Sequence, residues 1–361
     1  MKTFLKISNF KCFQNEEFEF KKLNVLVGAN GMGKSTVLQA MLLIRQCVES
    51  KNGKILLNGP FALSLGTYDS VISNKADNNI ISFVYYKDGI ELFRVSLTNS
   101  SEEDAYSLDI VHSEVEKYED ITNKCFYFLS AERTGPRIVQ KMADWDYMNV
   151  GCYGEFAAQV LAQRYFKIDE MRKCPGENSI YLFNQVNAWL NYILPNNEVT
   201  VEANYKLQVA QIKLKNTISD DFVEATNLGF GISYCLPIII TGLIAEKDSC
   251  LLIENPEAHL HPAAQTAMGK FLAMLANSGL RVVVETHSDH ILDGIQIFVA
   301  NNRSLREDVL ISNFGINDIG SLCVNSITYN ENMEYSDWPR GFMDTTSENY
   351  SEFLNANKKD V

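Results

Sequence analysis

The sequence predicts an α/β protein built on a mixed sheet, and three observations predict it. "LNVLVG" (23–28) is a nearly unbroken apolar run ending in glycine, which is how a strand buried on both faces reads. The last third of the chain alternates similar runs with segments of helical spacing. Between these regions lie stretches in which apolar and polar residues alternate with period two, the mark of half-buried antiparallel strands.

In chain order, "MKTFLKISNF" alternates loosely and reads as a more exposed strand ahead of the buried one. After the glycine-rich turn, Val37, Leu38, Met41, Leu42 and Ile44 recur at helical spacing. "IISFVYYKDGIELFRVSL" (80–97) reads as a hairpin turning at Asp88-Gly89. "CFYFLSAER" (125–133) is a further buried strand. From about 150 to 194 the pattern is helical, with Leu182, Val186, Trp189, Leu190 and Ile193 on one face and Pro195 as the stop. "EVTVEANYKLQVAQIKLK" (198–215) reads as a strand pair, and "CLPIIITGLIA" (235–245) as a buried helix too short to cross a membrane. Strand "CLLIE" (250–254), a helix opening near Pro262, strand "RVVVE" (281–285) and a helix from about 288 follow. Two late strands lie in 308–315 and 320–329, and the tail from 345 is polar and expected to be loose. The expected organisation is an N-terminal lobe (1–145), a helix-and-strand lid (146–215), a C-terminal lobe (216–330) and an extension (331–361).

With 361 residues, 46% of them hydrophobic, the chain can bury a full core. Its net charge of −13 excludes a surface that is basic throughout, so DNA contact is confined to local patches. The candidates are Arg164, Lys167, Arg172 and Lys173, with Arg133, Arg137 and Lys141; Arg133 has a second reading, facing a nucleotide. The eight cysteines are scattered without a C-x-x-C pair, which fits reduced thiols, and the N-terminus lacks a signal-peptide pattern. The expected setting is cytoplasmic, without a membrane.

Chemistry enters at "GANGMGKST" (28–36), which satisfies G-x-x-x-x-G-K-[ST] between a buried strand and an amphipathic helix. In such a loop the glycines let backbone N–H groups converge on phosphate oxygens, and the helix N-terminus adds its positive end. Asn30, Gly31, Gly33, Lys34, Ser35 and Thr36 are the candidate nucleotide contacts. Lys34 reaches the β- and γ-phosphates, and the Ser35 hydroxyl is a ligand for Mg2+. The run "CLLIE" delivers Glu254 at a strand end, suited to holding the same cation. His287, just past "VVVE", is placed to donate to a γ-phosphate or to orient water. "NLGFGISY" (227–234) sets a Gly-x-Gly before an apolar helix, a weak signal by itself.

Taken together, "NFKCF", "GANGMGKST", "LGFGIS", "LLIENPEAHLHP" and "ETHSDHIL" resemble the ABC-type ATPase heads of the SMC, RecF and OLD group. The closest similarity is to a bacterial subfamily of AAA-type ATPases of unknown function. That similarity covers nearly the whole chain, including "LNGPFALSLGTYDSV" (57–71), "FLSAERTGPR" (128–137), "VGCYGEF" (150–156) and "DWPRGFMD" (337–344). It implies a P-loop NTPase head with N-terminal antiparallel strands, using ATP and Mg2+ and pairing head-to-tail so that the second copy supplies a signature loop. Gly229, Gly231 and Ser233 take that loop's place. Relatives occur in antiphage defence beside a separate nuclease or other effector, which implies a regulated protein partner.

The chain departs from those families in several ways. It has no long coiled-coil run and no room for a nuclease domain after "THSDH", and Asp69 is only a guess for the Q-loop position. Asn255 stands where the catalytic glutamate belongs, and a neutral amide cannot accept a proton, although it can orient water. Glu257 is the candidate replacement, with a helix-start acid as its alternative reading. The expected function is a slowly ATP-hydrolysing switch, with an ATP-holding scaffold without turnover and a RecF-like DNA clamp as the alternatives. His259, His261, His287 and His290 invite a zinc reading, but the resemblance accounts for them without that metal.

Overall fold

The computed structural model describes residues 2–99, 105–113, 125–144, 146–217, 221–227, 229–337 and 353. The tail from 345 apart from Phe353, most of "DWPRGFMD" and most of the 331–361 extension therefore lie outside the described residues, as does Leu228 at the head of "LGFGIS".

A six-stranded mixed sheet positions the site. Its strands are β3 (Leu23–Gly28), β8 (Phe126–Leu129), β13 (Cys250–Glu254), β14 (Arg281–Glu285), β15 (Val309–Ile316) and β16 (Leu322–Ile327). The spatial order is β16-β15-β3-β14-β13-β8, parallel except for the antiparallel edge strand β16. β14 thus lies between the strand carrying the glycine-rich loop and the strand ending in Glu254. In register, Glu285 sits opposite both Glu254 and Leu26. Buried on both faces, β3, β13 and β14 show the apolar runs read from the sequence.

A second, wholly antiparallel sheet runs β2-β1-β5-β6-β7-β4. It contains β1 (Thr3–Phe10), β2 (Phe13–Phe20), β4 (Lys54–Leu56), β5 (Ile81–Lys87), β6 (Ile90–Thr98) and β7 (Ser107–Ser113). The 80–97 hairpin is present, with Asp88 and Gly89 both at positive φ (51° and 82°) as a tight hairpin turn requires. Strand β2 was not anticipated. "FQNEEFEF" carries a polar and acidic exposed stretch, so its apolar residues never form a clean alternation. Helix α1 (Lys34–Glu49) lies between this sheet and the central one. Its Val37, Leu38, Met41 and Leu42 share one core with Leu5 and Ile7 of β1 and with Leu252 and Val283 of the central sheet.

The other face of the central sheet is covered by α3 (Ala157–Leu161), α4 (Leu182–Ile193), α5 (Phe230–Ile244), α6 (Pro262–Asn277) and α7 (Asp289–Asn301). A short α2 (Tyr68–Val71) follows β4. Helix α5 is buried all round from Cys235 to Ile244, in keeping with its apolar sequence. The five residues expected to line one face of α4 are all buried. The predicted helical stretch 150–194 is largely turns around the short α3 and a 3-10 turn at Glu170–Arg172, with α4 as its one long helix. Residues 198–215 form the expected pair, β10 (Asn197–Asn204) with β11 (Val209–Asn216), joined by β12 (Val223–Glu224) and β9 (Gln140–Lys141). Among the described residues no coiled-coil arm occurs, and no helix is long and apolar enough to cross a membrane.

Candidate nucleotide site

The glycine-rich loop joins β3 to α1, and its shape depends on glycine at two positions in particular. At Gly28 (φ 126°) a Cβ would stand 2.1 Å from the Phe314 carbonyl oxygen; at Gly33 (φ 94°) one would stand 2.8 Å from Cys12 Sγ. Any side chain there collides with a neighbouring element as well as straining the backbone. Gly33 is also the N-cap of α1 and offers no side-chain cap, so first-turn N–H groups remain available to an anion. Lys34 is 3% exposed, and its Nζ donates to the Gly28 and Ala29 carbonyls, each at 2.8 Å. Burial holds this ammonium below the usual lysine range, opposed by the negative charge of Glu285. The pocket beside it is lined by Lys11, Cys12, Asn30, Gly31, Ser35 and Glu285, among others.

Glu254 ends β13 as expected, and its carboxylate is turned toward the turn after β8. Its Oε2 accepts the Ala131 N–H at 2.9 Å and faces Ser130 Oγ at 3.5 Å. The acid that meets Ser35 is Glu285, which the sequence reading passed over: Ser35 Oγ donates to Glu285 Oε1 at 2.9 Å. A signal existed, because "RVVVE" ends an apolar strand in an acid just as "CLLIE" does. The strand order decides that this acid lies next to the loop. Burial raises both carboxyls above the ordinary range. For Glu285 the Ser35 hydrogen bond opposes the rise and the negative charge of Glu254 adds to it.

Beyond Glu254 the chain turns sharply. Asn255 has φ 45° while its N–H still bonds to the Glu285 carbonyl at 2.9 Å. Its side chain makes no hydrogen bond among the described residues, whereas Glu257 is held on both oxygens. Glu257 Oε2 accepts the Thr286 hydroxyl at 2.7 Å and Oε1 accepts the His287 backbone N–H at 2.9 Å. The His287 imidazole is exposed, and its pKa lies below the usual value through partial burial and the nearby Lys34 charge. Glu257 and His287 are therefore brought to the same strand ends as Lys34, Ser35 and Glu285.

Arg133 does not face solvent, DNA or the phosphate pocket. It is 2% exposed and grips the turn after β13, donating to the carbonyls of Ser130 (2.9 Å), Glu254 (2.7 Å) and Asn255 (2.6 Å). Its guanidinium lies 5.5 Å from the Tyr234 ring of α5, and burial pushes its pKa down to about 10, still charged at neutral pH. Arg172, the other arginine offered for DNA, is 1% exposed and bonds Ser278 Oγ at 2.8 Å and the carbonyls of Gly242 and Ala245. Both readings are corrected for one reason: a strand end and a 3-10 turn direct these side chains inward, where backbone carbonyls need donors. Arg164 bonds the Val201 carbonyl and lies 4.2 Å from the Phe183 ring, and Lys173 pairs with Glu170. Arg137, Lys141 and Lys167 are exposed.

Gly229 is the N-cap of α5, with Gly231 and Ser233 in its first turns. They do not line the phosphate pocket; Ser233 lines a separate cavity with Thr134, Gly154 and Pro237. Gly231 packs closely on the 255–261 turn, where a Cβ would meet the His259 carbonyl oxygen at 2.8 Å. The His259 ring packs against Phe230 and Tyr234. His261 caps α6, accepting the Ala263 N–H at 3.4 Å, and His290 lies near Asp289 and Asp293. The four histidines are thus dispersed over different tasks. Asp69 is exposed on α2 and does not line the phosphate pocket.

The fold is that of SMC head domains. An SmcHead bound to the C-winged helix domain of ScpA superposes with TM-score 0.54 at 14% identity, covering 91% of this chain and 98% of that one. An Smc head domain with an extended coiled coil, bound to the C-terminal domain of ScpA derived from Pyrococcus furiosus, gives 0.52 at 12% identity, covering 91% and 96%. Comparison with curated proteins finds no match. The family model described as an AAA ATPase domain matches residues 1–139 and 163–292, most of the chain, and the protein is a member of that AAA ATPase family.

Proposed function

We propose that this protein is an ATP-binding molecular switch that hydrolyses ATP slowly. One observation carries the reading: Lys34, Ser35, Glu285, Glu257 and His287 converge at the adjoining ends of β3, β14 and β13. Lys34 and the α1 N-terminus bind the β- and γ-phosphates of ATP. The Ser35 hydroxyl and the Glu254 carboxylate would supply an oxygen-only donor set, with Glu285 hydrogen-bonded to Ser35 beside them. Such a set suits Mg2+, which needs few protein ligands when phosphates and waters complete its shell. When bound, the cation neutralises charge building on the γ-phosphate. Glu257 is the residue we assign to take the proton of the attacking water; each carboxylate oxygen keeps a lone pair beyond the one already engaged. His287, held neutral, donates to or orients the γ-phosphate side.

Gly229, Gly231 and Ser233 lie away from this chain's own phosphate pocket. That separation supports a head-to-tail pair in which each copy's α5 N-terminus closes on the other's nucleotide. Opening and closing of the pair would control a protein effector, with antiphage defence as the setting we propose. Phosphate release by wild type and Lys34→Ala tests turnover: equal rates sink hydrolysis. Mass measurement of Glu257→Gln with ATP and Mg2+ tests pairing, since a species that stays monomeric removes the sandwich. A second reading, an ATP-holding scaffold without turnover, is favoured by the uncharged Asn255 after Glu254. It predicts tight ATP binding with no release above Lys34→Ala.

A further inference from the structure

Glu285 has one oxygen engaged and one without a partner. Its Oε1 accepts the Ser35 hydroxyl at 2.9 Å, while Oε2 is buried with no hydrogen bond in a side chain only 6% exposed. A buried carboxylate oxygen without a donor has lost its water with nothing in return, so such an atom calls for a reason. The carboxylate stands at the phosphate pocket, beside the hydroxyl already assigned to the cation.

We infer that Glu285 is a working part of the cation site, with two tasks. First, by taking the Ser35 hydroxyl proton into a hydrogen bond, it leaves both lone pairs of Oγ free to face a divalent cation. A hydroxyl whose proton is held by a carboxylate is also a more electron-rich ligand. Second, Oε2 is the acceptor for a water carried by that cation, which supplies the missing donor. The strand order makes this geometry possible, because β14 lies between β3 and β13 and delivers Glu285 between Ser35 and Glu254. The ligand class is a hydrated divalent cation of the Mg2+ type accompanying a nucleoside triphosphate. The inference rests on the nucleotide-binding reading above and adds a residue to it.

The test measures ATP affinity of the full chain by calorimetry, in saturating Mg2+ and in EDTA, and takes the ratio as the cation-dependent gain. Glu285→Gln keeps the shape and removes a negative charge beside the phosphates. Its affinity in EDTA should equal or exceed wild type, while its gain should fall by about 10- to 100-fold, as when a partner that orients a metal ligand is lost. Ser35→Ala should lower the gain too, and the double variant should lose little more than the worse single one, because both act on one cation. A gain undiminished in Glu285→Gln, or losses that simply add, overturns the assignment while leaving ATP binding intact. A wild-type chain that binds no ATP in either condition overturns the nucleotide reading itself. If Glu285→Gln does not fold, Glu285→Asp decides: its carboxylate is withdrawn from Ser35 by one methylene, and a gain equal to wild type rejects the proposal.

Discussion

Glu257 Oε1 accepts the backbone N–H of His287 at 2.9 Å, across thirty residues of sequence. Its other oxygen takes the Thr286 hydroxyl at 2.7 Å, so the turn after β13 is fastened to the end of β14 by a single carboxylate. That fastening ties the Glu257 carboxylate to the backbone that carries the His287 imidazole, and the Asn255 side chain takes no part in it, although its backbone N–H bonds the Glu285 carbonyl.

Glu257→Gln is expected to bind ATP and Mg2+ like wild type but to release phosphate about 10²–10⁴-fold more slowly, the loss typical of a general base. A glutamine keeps one acceptor oxygen of the two, so most of the fastening survives. Equal rates for wild type and variant in a steady-state assay remove Glu257 from the base role.

Arg133→Ala should destabilise the fold by at least about 2 kcal/mol, since the Ser130, Glu254 and Asn255 carbonyls each lose a guanidinium donor and the cavity of a buried side chain is left behind. Arg133→Lys should recover little, because an ammonium cannot reproduce the fork that reaches the Glu254 and Asn255 carbonyls together. Urea unfolding measures both, and a near-neutral Arg133→Lys argues against this bracing role.

Gly28→Ala is expected to cost at least about 2 kcal/mol through backbone strain at φ 126°, with the collision at the Phe314 carbonyl added. Gly53, also at positive φ, has open space where a Cβ would go, so Gly53→Ala should cost clearly less. Thermal melts of the two variants compare the effects; equal losses would show that the contact with β15 contributes nothing.

The His287 imidazole should titrate with a midpoint below 6.5, because partial burial and Lys34 both disfavour its charged form. The unfolded chain then takes up a proton before the folded one as pH falls. The stability linked to His287 is present above 6.5 and is lost as pH drops through the folded midpoint. An NMR titration following the ring proton checks this, and a midpoint at or above 6.5 contradicts it.

Much of the fold is legible in the sequence because buried strands and amphipathic helices write their environment into local patterns. "LNVLVG", "CLLIE" and "RVVVE" each became a central strand, and Pro262 and Ser288 stand at the starts of α6 and α7 as start signals should. Strand β2 escaped because its exposed residues "QNEE" interrupt the period on which recognition depends. The 150–194 region misled for the opposite reason, since apolar residues packed from turns can mimic helical spacing.

What the sequence determined by itself is the chemistry at hand: a glycine-rich loop with Lys34 and Ser35, and an acid, Glu254, at a strand end. Those depend on residue identity and short spacing, which the chain carries directly. The tertiary structure decided which acid meets which group. Hydrogen bonding between strands far apart in sequence sets β14 beside β3, giving Glu285 to Ser35, while the turn at Asn255 carries Glu257 to His287. It also sent Arg133 and Arg172 inward, where backbone carbonyls accept from both guanidinium groups, a placement that sequence position does not reveal.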